Sequence, residues 1–191
     1  MRVALVQDWL TGMRGGEKVL EALCEVFPQA DIFTMVHRPG SVSKTIESRP
    51  IKTSIIQELP GGEKRYRHYL PLMPWAVGRF VFSGYDLVVS SSHCVAKGVR
   101  VPPAVPHVCY CHTPMRYIWD QYENYFSPER AGFWVRAAMR LARGPLQRWD
   151  VATAQGVRAF IANSRHVAER IRRHYGREAE VIHPPLDFGR F

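Results

Sequence analysis

Four segments pair residue types with spacings that chemistry can use. Gly12 to Lys18 reads G-x-x-G-G-E-K. Glycines let the backbone approach a ligand closely, and Gly15 and Gly16 open a helix whose unpaired N–H groups suit a phosphate. The spacing fits neither the Walker loop nor the dinucleotide pattern G-x-G-x-x-G. The plainer reading is a Gly-rich turn into a helix. His112 to Arg116, H-T-P-M-R, directly follows a strand-like run. A His at a strand's carboxyl end can donate to a sugar hydroxyl or act as acid or base near neutral pH. Ala162 to His166, A-N-S-R-H, again marks a strand giving way to a helix. Ser164 suits the helix cap, while Asn163 and Arg165 sit at the rim and can reach a ligand or an adjoining domain. Ser90 to Gly98 carries three serines, which bind phosphate or satisfy the backbone of a turn.

The elements around these segments alternate. Arg2 to Val6 is an apolar, β-branched run and reads as a buried strand. A helix follows, with Val19, Leu20, Leu23, Cys24 and Phe27 on one face and Pro28 at its end. Ala30 to Met35 is a second strand, which makes a right-handed βαβ unit. Ile51 to Thr53 is a short strand. Glu63 to Phe82 reads as two short helices broken at Pro71 and Pro74. Asp86 to Ser90 and His107 to Cys111 are strands. A helix spans Gly132 to Ala154, with a kink expected at Gly144-Pro145. Val157 to Ala162 is a strand, Ser164 to Tyr175 a helix, and Glu180 to Ile182 a last strand. Such alternation predicts an α/β fold, doubly wound on a mostly parallel sheet. Ligands on these sheets bind beyond the strands' carboxyl ends. All four segments fall there.

Composition narrows the classes. The 191 residues are 46% hydrophobic and 23% charged, the mix of an ordinary globular protein. No apolar run approaches the ~20 residues that span a bilayer. The N-terminal apolar stretch is interrupted by Asp8, too soon for a signal peptide, and a cytoplasmic location is expected. Cys109 and Cys111 lack the C-x-x-C spacing of zinc or redox sites, so with Cys24 and Cys94 they read as buried thiols. The net charge is +9, and Arg130 to Arg177, with eleven Arg against Asp150 and Glu169, carries all of it. Such a basic region suits phosphate groups, an anionic membrane surface or nucleic acid, or is a solvated helix face. No D-x-D follows a strand and no nucleophile elbow G-x-S-x-G is present.

Taken in order, RVALVQDWLTGMRGGEKVLEAL, DLVVSSSHCVAKGV, HVCYCHTPMRYIWD, FIANSRHVAERIRRHYG and VIHPPLDFGRF resemble the N-terminal half of bacterial family 4 glycosyltransferases. The likeness is strongest to mannosyltransferase-like members that build surface polysaccharides. It covers essentially the whole chain. The resemblance implies one half of a GT-B architecture, in which two Rossmann-like domains face each other across a cleft. Residues 1–183 would be the acceptor-side domain. Residues 184–191 would begin the connection to a donor-binding domain that the sequence does not contain. The implied reaction is transfer of a hexose from a nucleotide sugar to a saccharide or lipid-linked acceptor, with retained configuration and no bound metal or other cofactor. The chain alone is expected to be inactive.

By the same resemblance, Gly15 and Gly16 match the loop that approaches the donor diphosphate. His112 matches the catalytic His that faces the transferred sugar. Lys18, Arg116, Asn163 and Arg165 match positions around the cleft, and Glu17 belongs to the helix start. Arg136, Arg140 and Arg143 share a helix face flanked by Phe133, Trp134 and Leu141. Together with Lys64, Arg65, Arg67, Tyr66, Tyr69 and Trp75 they suit an acceptor phosphate or the anionic inner leaflet. Two other classes compete. A nucleotide-cofactor Rossmann protein wants an acid ending the second strand, where Val36 and His37 stand. A basic membrane or nucleic-acid module rests on charge alone, and no nucleic-acid motif supports it, so no nucleic-acid partner is expected.

Overall fold

The structure, a computed structural model, describes residues 1–185. Its strands are β1 (Val3–Gln7), β2 (Asp31–Thr34), β3 (Ile51–Thr53), β4 (Leu87–Ser92), β5 (His107–Cys111), β6 (Ala159–Ala162) and β7 (Ala179–Val181). They form one sheet in the order β3-β2-β1-β4-β5-β6-β7. Every pairing is parallel. The doubly wound expectation holds, and the sheet is wholly rather than mostly parallel. The chain starts at β1, winds outward to β3, then returns to β4 on the other side of β1. The switch point therefore lies between β1 and β4.

The helices are α1 (Gly15–Val26), α2 (Lys44–Glu47), α3 (Gly62–Arg65), α4 (Met73–Val77), α5 (Tyr122–Tyr125), α6 (Phe133–Gln155) and α7 (Arg165–Tyr175). Strand alternation divides the core. Val3 and Leu5 of β1 pack with Ile32, with Leu20 and Cys24 of α1, and with Ile46 of α2. Ala4 and Val6 point the other way, to Phe33, Met73, Val88, Met139 and Leu146. Cys109, Cys111 and Phe160 pack with Val167, Ile171 and Tyr175 of α7. Register places Cys109 beside Ser90 and Ser90 beside Val6, so this third cluster lies on the same sheet face as the second. Burying each such aliphatic side chain contributes ~1.5–3 kcal/mol.

Several boundaries differ from the sequence expectation. β4 extends to Ser92, because Ser90, Ser91 and Ser92 stay in register with β5. Residues 62–82 form α3, a 3-10 helix over Tyr66–Leu72 that contains Pro71, and α4 with Pro74 in its first turn. α6 is one helix of 23 residues with Pro145 in its interior. The helices α2 and α5, each four residues long, are too short to show a period. Residues 182–185 have no regular structure, and the rest of the expected interdomain connection, 186–191, lies outside the described residues.

Candidate functional site

The carboxyl ends of β1, β4 and β5 meet the start of α1. Alternation continues past the strands and sorts the side chains onto the two sheet faces. Gln7 and Ser91 are register partners and follow Leu5 and Val89, so they point to the α1 side. His112 continues β5, its N–H donating to Ser92 O at 2.8 Å, and its ring is tilted against that of Tyr110 with centroids 5.2 Å apart. Its Nε2 lies 2.8 Å from Ser91 Oγ. Burial pushes the His112 imidazole down to about 4, helped by the nearby His93. The ring is therefore neutral at pH 7.

Gly16 sits directly over this cluster. A Cβ there would lie 3.2 Å from Gln7 Nε2 and 3.6 Å from His112 Nε2, whereas one on Gly15 would meet nothing. The Gly16 hydrogen thus allows α1 to seat on the strand ends, and the backbone that could approach a ligand unhindered is at Gly15. Glu17 closes the first turn: its Oε2 accepts from Arg14 N–H at 3.0 Å, and its Oε1 from Gln7 Nε2 at 3.4 Å. Burial raises the Glu17 pKa. Gln7 Oε1 is buried without a partner among the described residues.

On the other side of the sheet edge, Asp8 is fully buried. Its carboxylate accepts from four successive backbone N–H groups: His93 at 2.6 Å, Cys94 at 3.0 Å, Val95 at 2.6 Å and Ala96 at 2.8 Å. His93 Nδ1 lies 3.0 Å away as a fifth partner. Burial opposes ionisation of Asp8. The charge and ring N–H of His93, with the backbone donors, outweigh it and hold the carboxyl below its usual range. This turn begins a large cleft of about 950 Å³. Its walls carry Arg14, Arg67, Arg116 and Arg130 with Trp9, Tyr117, Tyr125, Phe126 and Trp134, and His93 and Glu17 lie on its floor. Guanidinium groups bind phosphate in a bidentate manner, and aromatic faces suit the apolar faces of sugars.

The residues singled out from sequence are only partly brought together. Gly15, Gly16 and Arg116 line the cleft, but His112 does not. The cause is the strand period of two, which turns the His112 ring toward α1, behind Gly16. Lys18 also lies outside the lining, its Nζ paired with Glu21 at 3.0 Å. Asn163 is a brace, since its Nδ2 donates to His112 O at 3.2 Å and its Oδ1 accepts from Ser164 Oγ at 3.2 Å. Ser164 caps α7 by accepting from Val167 N–H. Arg165 is exposed at the start of α7. Of the proposed basic face, Arg140 is exposed and Arg136 half-buried. Arg143 is committed to packing: its Nε donates to Ile118 O at 3.1 Å and its guanidinium lies 4.3 Å from the Tyr122 ring centre. Sequence reasoning missed Asp8 and His93. The available signal was an acid ending a strand at the switch point and a His just past the serines of β4. Among the described residues no group of three or more His, Cys, Asp or Glu is placed to hold a metal ion.

A cleft at the carboxyl edge of a sheet wound in this order defines a Rossmann-like ligand-binding domain. The family is more definite. The sequence model of Glycosyltransferase Family 4 matches residues 13–190, and the chain belongs to that family. Among solved structures, HepE of Anabaena in complex with UDP superposes with a TM-score of 0.55 at 15% identity, over 99% of this chain and 45% of that one. HepE in complex with UDP and glucose gives 0.55 at 16%, over 98% and 45%. WaaB, a lipopolysaccharide outer core galactosyltransferase in its apo form, gives 0.48 at 12%, over 98% and 46%. The HepE likeness shows the shared fold, the Rossmann-like layout of one half of a GT-B enzyme. The chain spans less than half the length of these structures. No curated protein matches it.

Proposed function

We propose that this chain is the acceptor-side half of a retaining glycosyltransferase that moves a hexose, of the mannose type, from a nucleotide sugar to a lipid-linked saccharide in surface polysaccharide synthesis. The observation that carries the reading is the cleft itself. Four arginines and five aromatic rings surround one space beside the N-terminus of α1. Phosphate and sugar chemistry are thus provided for together, as an acceptor carrying both requires. Gly15 and the α1 N-terminus would face the donor diphosphate. His112, Gln7 and Ser91 form a polar cluster behind Gly16, on the α1 side of the sheet and outside the cleft lining. The donor-holding groups would come from a second domain, so the chain alone transfers no sugar at a useful rate. No bound metal is called for in this scheme.

A membrane location fits the surface. Phe133 is 69% exposed, Trp134 81% and Leu141 80%, on the helix that also presents Arg140, and Trp75 of α4 is 57% exposed. Exposed aromatic and aliphatic side chains beside cations suit an anionic leaflet. No helix among the described residues is long and apolar enough to cross a membrane, so such binding would be peripheral.

The test joins the chain to a family 4 donor domain and supplies a radiolabelled nucleotide hexose with a polyprenyl-diphosphate saccharide. Label should pass to the lipid with the joined protein and not with the chain alone. Failure of the chain to bind the polyprenyl-diphosphate saccharide at millimolar concentration would overturn the reading. Flotation with anionic and with neutral vesicles checks the membrane claim, and equal recovery with both would remove it.

A further inference from the structure

We infer that His93, oriented by Asp8, is the hydrogen-bond acceptor that reads a saccharide hydroxyl in the cleft. The inference rests on the acceptor-site reading above and adds a residue that lies within the Ser90 to Gly98 segment but was not singled out there. Asp8 is buried and already saturated by four backbone N–H donors of residues 93–96. An ionised carboxylate only accepts, so the Nδ1 of His93, 3.0 Å away, carries the hydrogen. In the neutral ring this geometry selects the Nδ1–H tautomer, whose Nε2 is an acceptor. Nε2 makes no hydrogen bond to any described residue.

The ring cannot swing away to find another partner. It stands edge-on to Trp9, with centroids 4.6 Å apart at 90°, and Trp9 is itself buried. Neighbours in the same turn take no part in the cleft: Cys94, Val95 and Ala96 are buried in the core, and His93 alone of the four lines the open space. The imidazole is also superfluous for holding the turn, which the backbone donors accomplish. Every arginine in the cleft is a donor, and Glu17 is tied to Arg14 N–H and Gln7. His68 and the hydroxyls of Tyr117 and Tyr125 also line the cleft and can accept, but His93 is the ring held in place by a buried partner. Asp8 is a positioning residue that acts through the ring.

The experiment has a part that needs no variant. Long-range ¹H–¹⁵N spectra of the histidine-labelled chain should show His93 protonated at Nδ1 and bare at Nε2 near pH 7.5. A ring protonated at Nε2 instead would overturn the inference. The second part titrates methyl mannoside, glucoside and galactoside, with their monodeoxy analogues, into wild type and His93→Phe. Wild type should bind one glycoside about 2- to 10-fold more tightly than His93→Phe does, the range for one neutral hydrogen bond. One deoxy analogue should lose the same factor in wild type and nothing further in the variant. Asp8→Asn should mix the two tautomers and weaken binding of that same hydroxyl. Equal binding by wild type and His93→Phe sinks the role of His93 alone. If wild type binds no glycoside at all, the acceptor-site reading falls and takes the inference with it.

Discussion

Two aspartates are completely buried among the described residues, and they are used in opposite ways. Asp8 ends β1 and faces the turn that begins the cleft. Asp150 lies in α6 and faces the core. The Asp150 carboxylate has Lys97 Nζ at 2.8 Å and accepts from Trp119 Nε1 at 2.8 Å and Tyr175 O–H at 2.9 Å. Lys97 also donates to the Asp150 carbonyl at 2.7 Å and Thr153 Oγ1 at 3.0 Å. Every partner is a side chain or backbone group of the interior, and the cluster ties α6 to α7, to the turn after β4 and to the loop after β5. Gly98 belongs to the same lock, because a Cβ there would lie 2.2 Å from the Trp149 ring. Asp8 instead gathers local backbone donors and passes its remaining capacity to a ring on a cleft wall. A buried charge whose partners are all internal fastens elements together. A buried charge with one partner facing open space aims a group at a ligand.

Removing a partner from the lock should give the largest effect. Lys97→Met strands the Asp150 charge, and breaking a buried pair costs about 3–5 kcal/mol. Urea denaturation should show that loss. Adding Asp150→Asn should recover part of it, because the stranded charge is then gone. A cost below about 1 kcal/mol for Lys97→Met would show that the lock is not what holds α6.

Acid should act on both sides of the sheet, through His112 near Asp8 and through His107 near Lys97. Burial depresses His112 to about 4, and His107, bonded at 2.8 Å to Ser90 Oγ, to about 4 as well. The unfolded chain has ordinary histidines near ~6.5. It therefore binds the extra protons first, and stability falls as pH drops from ~6.5 toward 4, with no contribution from these two groups above that window. At pH 5 the loss is roughly 2 kcal/mol for each imidazole. Asp8 adds to the loss in the same direction at lower pH, since its carboxyl is held below the usual range. Urea midpoints measured from pH 7 to 5 should fall, and His107→Gln should flatten the slope. An unchanged midpoint would mean that both rings already accept protons in the folded state.

The glycines give a smaller contrast. Gly16→Ala must displace the Gln7 amide by a few tenths of an ångström, so it should cost on the order of 1 kcal/mol. Gly15→Ala meets nothing and should be neutral or slightly stabilising, given alanine's better helix propensity. If the α1 N-terminus takes the donor diphosphate, Gly15→Ala should still weaken nucleotide-sugar binding by the joined two-domain protein. Calorimetric titration separates the two effects. The opposite ranking in stability would show that α1 is seated differently.

These contrasts also show what the sequence could reveal. The strand-helix order and the glycine-opened helix were legible, because periodicity and punctuation are local. The face on which each site residue would end was not. His112 stands in a recognisable motif, yet a period of two turns it behind Gly16, and a shift of one residue would have reversed that. Asp8 and the backbone it organises are 85 to 88 residues apart, so no window along the chain could join them. Lys97 and its partner Asp150 are 53 positions apart, so no local pattern could join them either.

A contrast of similar size, ending in the smallest stability effect of all, concerns Arg143 and Arg140, three positions apart on α6. Arg143 bonds to Ile118 O and covers Tyr122, whereas Arg140 is exposed. Arg143→Ala should therefore cost roughly 1–2 kcal/mol, from one hydrogen bond of a charged group and a cation–π contact. Arg140→Ala should leave stability within about 0.5 kcal/mol. Vesicle binding should rank them the other way. A basic side chain near an anionic surface contributes about 1 kcal/mol, or a ~5-fold change in partition. Arg140 has its charge available for lipid, while the guanidinium of Arg143 is held against protein. If Arg143→Ala lowers binding to anionic vesicles as much as Arg140→Ala, the membrane face extends further around α6 than the packing of Arg143 allows. If neither does, the exposed Phe133, Trp134 and Leu141 serve something other than an anionic leaflet.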